Sequence, residues 1–533
     1  MTVVLGIEGT AWCASAALFD AETDSIEIRS NAYQPASGGI HPREAAEHMR
    51  TAIPEVIQDI LTIVRDKFGS PAETIDAVAF SQGPGLGPCL RITATGARAL
   101  AGALDVSLVG VNHMVAHLEI GRHQSGLQNP ICLNASGANA HVLGYRDGQY
   151  RILGETMDTG VGNAIDKFTR HVGWSHPGGP KVEAHAKQGE YVELPYVVKG
   201  MDFSFSGIMS AAKQRYDDGT PIEDVCRGLE ETIFAMLTEV SERALSLTGT
   251  QELVLGGGVG QNERLQHMLE DMCSNRGAQF SVPADRFLRD NAGMIAVLGA
   301  KMYDAGDRIG INESSVKPGF RPDEVPVTWR AVEPLEAIRP EEEHIRGAEA
   351  IVELNQEAGE VIKRRRTKSY RHPELDSLLR RRRTRSEARL LSESRQLGVS
   401  TPVIRDVDPE IGELTVEYVG KSDLKDSFSV SRSKTVGEYL ATLHNAGFVH
   451  GDPTPRNVRV DSDRVYLIDF GLGFYSDDIE DFAMDLHVYE GSVRGTANDP
   501  DELIQAFESA YQTTGNKDVL NQLRTIEERG RYQ

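Results

Sequence analysis

His450-Gly451-Asp452-Pro453-Thr454-Pro455-Arg456-Asn457 fits the pattern H-x-D-x-x-x-x-N, and Asp469-Phe470-Gly471 follows it. An aspartate that accepts the proton of an attacking hydroxyl or orients a water, with an asparagine and a second aspartate that hold Mg²⁺ against the phosphates of ATP, is the set that phosphoryl transfer requires. Asp452 takes the first role, and Asn457 and Asp469 the second. Upstream, Val361-Ile362-Lys363 fits a strand that presents a lysine to the phosphates, and Glu387, in the helical run Arg385–Leu391, is placed to pair with Lys363. Gly347-Ala348-Glu349-Ala350 stands where a phosphate-covering loop belongs, without the pattern G-x-G-x-x-G. No A-P-E follows Asp469, so the usual platform for a peptide substrate is missing.

A second constellation lies far upstream. Asn112-His113-Met114-Val115-Ala116-His117 carries two histidines at i and i+4, which share one face of a helix. Asp290, in Arg289-Asp290-Asn291-Ala292-Gly293, offers a carboxylate at the start of another helix. Two imidazoles and one carboxylate with open positions suit iron or zinc. Met114 stands where the glutamate of H-E-x-x-H would be, which argues against a metalloprotease. Three glycine-bearing turns accompany the pair: Gly6-Ile7-Glu8-Gly9-Thr10, Ser136-Gly137-Ala138-Asn139-Ala140-His141-Val142, and Leu255-Gly256-Gly257-Gly258-Val259-Gly260-Gln261-Asn262. Glycine lets backbone N–H groups approach phosphates. Two strand–turn–strand loops and a later loop for the nucleoside are the arrangement of the actin/sugar-kinase/Hsp70 ATPase fold.

The elements that must position these groups follow from pattern. From residue 1 to 323 strands alternate with longer helical stretches, as in an α/β fold, with strands expected at Val3–Gly6, Ala77–Ser81, Leu108–Val111, Ile131–Asn134 and Glu252–Leu255. Proline-rich, acidic residues 324–340 read as an interdomain linker, and 341–533 suffice for a small bilobal kinase-like α+β domain. The chain has net charge −23 and only 14 lysines, a balance like that of a halophile's surface. Val361–Arg395 reverses it, with 13 Lys or Arg against 4 acids, and phosphate or RNA contact is one reason for such a surplus; a basic helix face paired with acidic residues is the other. Five scattered cysteines without C-x-x-C argue against disulfides and thiolate zinc sites. No apolar run approaches a membrane span, and Met1–Gly6 opens directly into a strand, which reads as cytoplasmic.

Gly347–Ala350, Lys363 with Tyr370-Arg371, Arg383–Glu387, the His-Gly-Asp loop and Asp-Phe-Gly resemble the atypical RIO-like kinase of the archaeal and eukaryotic KEOPS complex. That resemblance implies an ATPase or autokinase governed by its partner. His113/His117 with Asp290, Asn163–Phe168, His176–Pro180 with Glu183, and Gly256-Gly257-Gly258 with Asn262 resemble the tRNA adenosine threonylcarbamoyltransferases over roughly residues 1–322. Together the two halves resemble an archaeal bifunctional family. The resemblance implies transfer of a threonylcarbamoyl group from L-threonylcarbamoyladenylate to the adenosine just 3′ of the tRNA anticodon. Metal would be held by His113, His117 and Asp290. Asn134, Ala135, Ser136, Gly137, Ala138, Asp166, Gly179, Glu183 and Asn262 would contact the adenylate, and Glu8 would orient the nucleophile. The family generally has tyrosine where Asn134 stands, which leaves the fourth metal ligand open. Trp12-Cys13 is also unusual. Partners implied are tRNA and the small dimerising and tRNA-binding KEOPS subunits. A reading from another class is an ATP-binding scaffold with an attached signalling kinase, which needs no transition metal.

Overall fold

Each of the five apolar runs expected as strands forms one. Val3–Glu8 (β1), Cys13–Asp20 (β2), Ser25–Ala32 (β3), Ala77–Gly83 (β4) and Ser107–Asn112 (β5) make one sheet in the order β3-β2-β1-β4-β5. Ile131–Ala135 (β6), Ala140–Arg146 (β7), Gln149–Glu155 (β8), the short pair Val198–Lys199 (β9) and Asp202–Phe203 (β10), then Glu252–Gly256 (β11) and Gln279–Ser281 (β12) follow, and the second sheet runs β12-β11-β6-β7-β8. In both sheets the first strand pairs antiparallel with the second and parallel with the fourth. One half-fold is thus used twice, the duplicated α/β architecture that the three glycine-bearing turns imply. The computed structural model describes residues 2–33, 41–137, 139–146, 148–330, 344–346, 349–355, 357–462 and 464–532, and it divides the chain into two compact units, Met1–Ala337 and Ile338–Gln533.

β1, β4 and β6 are buried along their whole lengths, which is why they read as unbroken apolar runs rather than alternating ones. The helix Ala292–Asp304 is buried almost all round and lies on β1. Gly6 makes that approach possible: a Cβ there would come within 2.6 Å of the Ala292 carbonyl oxygen and the Ala296 nitrogen. This contact brings Asp290, just before the helix, to the end of β1. All five cysteines are buried and free. Among the described residues no helix is long and apolar enough to cross a membrane.

In the second unit His344–Arg346 (β13), Ala350–Asn355 (β14), Glu360–Arg365 (β15), Ile404–Asp408 (β16) and Glu413–Glu417 (β17) form an antiparallel sheet in the order β13-β14-β15-β17-β16, with the helix Pro373–Gln396 beside it. Helices Val430–Asn445, Ile479–Thr496, Pro500–Thr514 and Lys517–Tyr532 build the other lobe around Leu440, Leu443, Phe470, Leu486 and Phe507. The strands Val458–Asp461 and Arg464–Leu467 carry the residues between the His-Gly-Asp loop and Asp469, and Ser422–Asp423 pairs antiparallel with the first of them.

The expected linker, residues 324–340, is corrected at its start, while 331–340 lie outside the described residues. Val325 joins the core of the first unit, and Val327 and Trp329 pack against it. Their i, i+2, i+4 spacing gives an extended strap one apolar face, a signal that proline and acidic content masks. Trp329 stacks on Tyr150, with ring centroids 6.4 Å apart, and the Arg330 guanidinium lies 3.6 Å over the Tyr145 ring. Arg330 Nη1 is also 3.7 Å from Glu119, a fully buried carboxylate. Glu119 accepts hydrogen bonds from Arg122 Nη1 (2.9 Å), Lys301 Nζ (2.9 Å) and the Tyr150 hydroxyl (2.7 Å). It sits on the same helix as His113 and His117, and Lys301 on the helix that follows Asp290. Removing one partner of a buried ion pair typically destabilises by about 3–5 kcal/mol, but Arg122 and Lys301 remain, so Arg330→Ala is expected to cost about 1–2 kcal/mol. The midpoint of denaturant unfolding measures this, and an unshifted midpoint would mean that Arg330 adds nothing to the hold that Val325, Val327 and Trp329 give the strap.

Candidate active sites

The ends of β1, β5, β6 and β11 converge on one place in the first unit. Asn112 ends β5 and caps the helix His113–Ser125, its side chain accepting hydrogen bonds from the Met114 and Val115 nitrogens. The cap starts the helix at His113, so His113 and His117 project from its first turns. Asp290 Oδ1 lies 3.4 Å from His113 Nε2 and 3.6 Å from His117 Nε2, and one ligand atom from each of the three falls within 4.8 Å of the others. Both ring nitrogens of His117 are buried without a hydrogen-bond partner. Burial works against charge on His113, yet Glu8 and Asp290 on either side raise its pKa to about 10. His117 is lowered, by burial first. A proton on His113 thus neutralises a pocket whose donors would serve a divalent cation: unpaired imidazole nitrogens and a carboxylate held below its ordinary range by both histidines against its burial. The trio fits a metal.

Glu8 is placed differently from the expectation. It is fully buried; Oε1 accepts from the Thr10 backbone nitrogen (2.8 Å) and hydroxyl (2.6 Å), and Oε2 lies 3.0 Å from His113 Nδ1. With both oxygens engaged it holds the back of His113 and leaves Nε2 facing Asp290, rather than meeting an incoming nucleophile. A carboxylate behind a histidine in this way fixes the tautomer of a metal ligand.

The adenylate candidates line the turns beside this trio. Gly257 has φ +85°, and a Cβ there would come within 2.3 Å of the Ala135 carbonyl oxygen and 2.6 Å of Asn134 Oδ1, so the glycine-rich turn lies flush on the end of β6. Asn134 Nδ2 faces Met114 Sδ at 3.7 Å, and its Oδ1 is buried without a hydrogen-bond partner. The Ser136–Gly137 turn accepts hydrogen bonds from the Gly162 and Asn163 nitrogens, at 3.1 and 2.9 Å, which joins it to the helix Val161–His171. Ala138 lies outside the described residues. Asp166 holds the next loop, with Oδ1 accepting from the Gly178 nitrogen and Oδ2 against His176 Nδ1, both at 2.8 Å. Gly179 opens the helix Gly179–Ala186, and Glu183 on it accepts from the Glu263 nitrogen at 3.2 Å. Asn262 caps the helix Glu263–Arg276 and donates from Nδ2 to Glu230 Oε1 at 2.7 Å. Glu230, on the long buried helix Ile222–Thr248, carries no sequence motif, and only the packing brings it here.

In the second unit the kinase residues come together across the two lobes. Lys363 Nζ donates to Glu387 Oε1 at 2.9 Å and to Asp469 Oδ1 at 2.5 Å. Burial works against its charge, but Asp469 and Glu387 raise its pKa, and Lys363 in turn holds the Asp469 carboxyl down against its own burial. Asp469 adopts the left-handed φ of +62°. Asn457 Nδ2 donates to Asp452 Oδ2 (2.8 Å) and to the Asp452 backbone carbonyl oxygen (2.9 Å), so of its side-chain amide the Oδ1 oxygen is the atom that could meet a cation. Glu349 pairs with Arg383 at 2.8 Å and Ala350 begins β14, whereas Gly347 and Ala348 lie outside the described residues. Asp485 is unannounced in the sequence. Deeply buried, it accepts from the His450 and Gly451 nitrogens at 2.7 and 2.8 Å and lies 3.2 Å from His444 Nε2, which anchors the catalytic loop from below. In the basic stretch, Arg380 pairs with Asp376, Arg381 and Arg385 with Glu410, and Arg364 with Glu353 and Glu413. Of the two reasons for the basic surplus, pairing with acidic residues therefore accounts for much of it.

Residues 23–297 match the family model of tRNA N6-adenosine threonylcarbamoyltransferase, and residues 436–523 that of the phosphotransferase enzyme family. The second match covers the catalytic loop and Asp469; Lys363 and Glu387 lie outside it and join the site through geometry. Across its whole length the chain is 70% identical to a probable bifunctional tRNA threonylcarbamoyladenosine biosynthesis protein of Natronomonas pharaonis, covering 100% of both chains. Relatives of the same name in Halobacterium salinarum and Methanospirillum hungatei are 66% and 50% identical, over 99% of this chain and 98% and 99% of theirs. The trio that fits a metal and the paired lysine, glutamate and aspartates thus lie in a chain that belongs to the bifunctional tRNA threonylcarbamoyladenosine biosynthesis proteins, enzymes with a threonylcarbamoyltransferase and a phosphotransferase domain in one polypeptide.

Proposed function

We propose that the first unit transfers the threonylcarbamoyl group of L-threonylcarbamoyladenylate to N6 of adenosine-37 in tRNAs reading codons that begin with A. The new bond joins N6 to the carbamoyl carbon, the bond from that carbon to the phosphate oxygen breaks, AMP leaves with the electron pair of that bond, and N6 gives up one proton to solvent or to the departing phosphate. The second unit is an ATP- and Mg²⁺-dependent kinase/ATPase that regulates the transferase, together with other KEOPS subunits, in the cytoplasm. The observation that carries the reading is the convergence of His113, His117 and Asp290 beside the glycine-rich turns. An ATP-driven scaffold has no use for two orphaned imidazole nitrogens.

His113, His117 and Asp290 would hold iron, or zinc, as a Lewis acid that polarises the transferred carbonyl. Glu8 keeps His113 in the ligating tautomer. Asn134 either completes the ligand set or meets the threonylcarbamoyl group. The turns at Asn134–Ala138 and Gly256–Asn262, with Asp166, Gly179 and Glu183, bind the adenylate. Burial pushes the Glu230 carboxyl up to about 7, against the Asn262 hydrogen bond and with the Glu183 charge. In the second unit Asp452 accepts the proton of the attacking hydroxyl or water, and Asn457 and Asp469 hold Mg²⁺.

The primary test supplies labelled threonylcarbamoyladenylate, tRNA and the other KEOPS subunits to the full chain. His113→Ala is expected to lose product by more than about 100-fold together with its metal, beyond the 10–100-fold usual for an outer partner. Asp452→Ala should lower ATP hydrolysis by roughly 10²–10⁴-fold. Metal-loaded wild type that forms no modified tRNA would sink the transferase reading and favour the scaffold. Glu8→Gln should weaken metal binding by about 10–100-fold in a chelator competition, whereas an unchanged affinity would leave Glu8 without its assigned role. Glu230 has a folded pKa near 7 against an ordinary 4.5, so between those values the native state binds the extra proton and stability falls as pH rises. Glu230→Gln should remove that fall and raise stability at pH 8 by about 2–3 kcal/mol, read from thermal melts across the window.

A further inference from the structure

The nucleotide site of the second unit contains a cation that the phosphoryl-transfer residues leave unexplained. Arg365 lies two residues beyond Lys363 on β15, and the pleat turns both side chains to the buried side while Arg364 between them is exposed. Glu387 is gripped at both ends: Oε1 accepts from Lys363 Nζ at 2.9 Å and Oε2 from Arg365 Nη2. Arg365 Nη1 also donates to Thr384 Oγ1 at 3.3 Å. The guanidinium reaches the Asp-Phe-Gly turn, since a Cβ built on Gly471 would stand 2.9 Å from Arg365 Nη2, 3.0 Å from Asp469 Oδ1 and 3.5 Å from Lys363 Nζ. Its side chain is 2% exposed, so this positive charge is committed to the cluster.

The need for a second cation follows from what nucleotide binding demands of the first. In this arrangement Lys363 bridges Glu387 and Asp469, two anions in a buried place. Mg²⁺ requires the Asp469 carboxylate, so Lys363 must transfer that contact to a phosphate oxygen. A buried carboxylate with no other counter-ion would hold Lys363 against such a move and repel the arriving phosphates. With Arg365 on its second oxygen, Glu387 stays compensated throughout. We propose that Arg365 is a positioning residue for nucleotide binding, which neutralises Glu387 so that the charge of Lys363 is available to the phosphates of Mg²⁺-ATP. The inference rests on the reading of the second unit as an ATP-dependent phosphotransferase.

The test uses the full chain and measures Mg²⁺-ADP affinity and the kcat and KM of ATP hydrolysis. Arg365→Gln is expected to weaken Mg²⁺-ADP binding and raise KM for ATP by about tenfold or more, with kcat at saturation changed less than about threefold. Arg365→Lys, which keeps the charge, should stay within about threefold of wild type in affinity. In a Glu387→Gln background the loss should vanish, because Arg365→Gln then has no carboxylate to leave uncompensated. Wild-type affinity in Arg365→Gln overturns the proposal. So does a double variant that binds much more weakly than Glu387→Gln alone, and this comparison still decides if Arg365→Gln by itself does not fold. Equal losses in Arg365→Lys and Arg365→Gln overturn it too, as they would show a role in shape rather than charge. Wild type that binds no nucleotide would instead overturn the phosphotransferase reading, and the inference with it.

Discussion

Glu8 and His113 meet at 3.0 Å in the interior of the first unit, and much of that unit's architecture keeps this pair aimed at Asp290. A buried carboxylate needs its oxygens satisfied, and Thr10 takes one of them. The other fixes the ring of His113 from behind, so that Nε2 can face outward. His117, on the same helix, receives no such partner and keeps both nitrogens unsatisfied. That asymmetry suits a cation, because a site without one leaves polar groups buried at a free-energy cost.

The repeated sheet order explains how residues from such distant parts of the chain arrive together. Parallel strands in α/β sheets open their carboxyl ends toward ligands, and two copies of the half-fold bring two sets of such ends to the site. Glu8 ends β1, the histidine helix follows β5, Asn134 is near the end of β6 and the glycine-rich turn follows β11. Close backbone approaches at Gly6 and Gly257 set the distances between these ends. The strap ending in Trp329 and Arg330 then joins an ion cluster that ties the histidine helix to the helix after Asp290.

The second unit follows the same rule of compensated buried charge. Lys363, Glu387, Asp469 and Arg365 form a cluster of two cations and two anions, and Asp485 is satisfied by two backbone nitrogens and a histidine. Arginine suits such a cluster because its forked guanidinium can serve two acceptors, as Arg365 serves Glu387 and Thr384.

The sequence by itself determined the chemistry on offer. The i, i+4 histidines, the catalytic loop with its Asp and Asn at fixed separation, and the unbroken apolar strands are local patterns, because helix and strand periods are local properties of the backbone. It could not determine which buried acids complete the sites. Glu230, Asp485 and Glu119 sit in helices where nothing local distinguishes them from surface carboxylates; only packing removes their water and supplies their partners. Glu8 was visible as a residue, but its role was not, since the direction of a carboxylate depends on neighbours more than 100 positions away. Proline and acidic content made 324–330 read as a linker, whereas the tertiary structure buries its alternating apolar residues against a sheet formed much earlier in the chain. Side-chain type and spacing decide what a group can do, and long-range burial decides which groups are left able to do it.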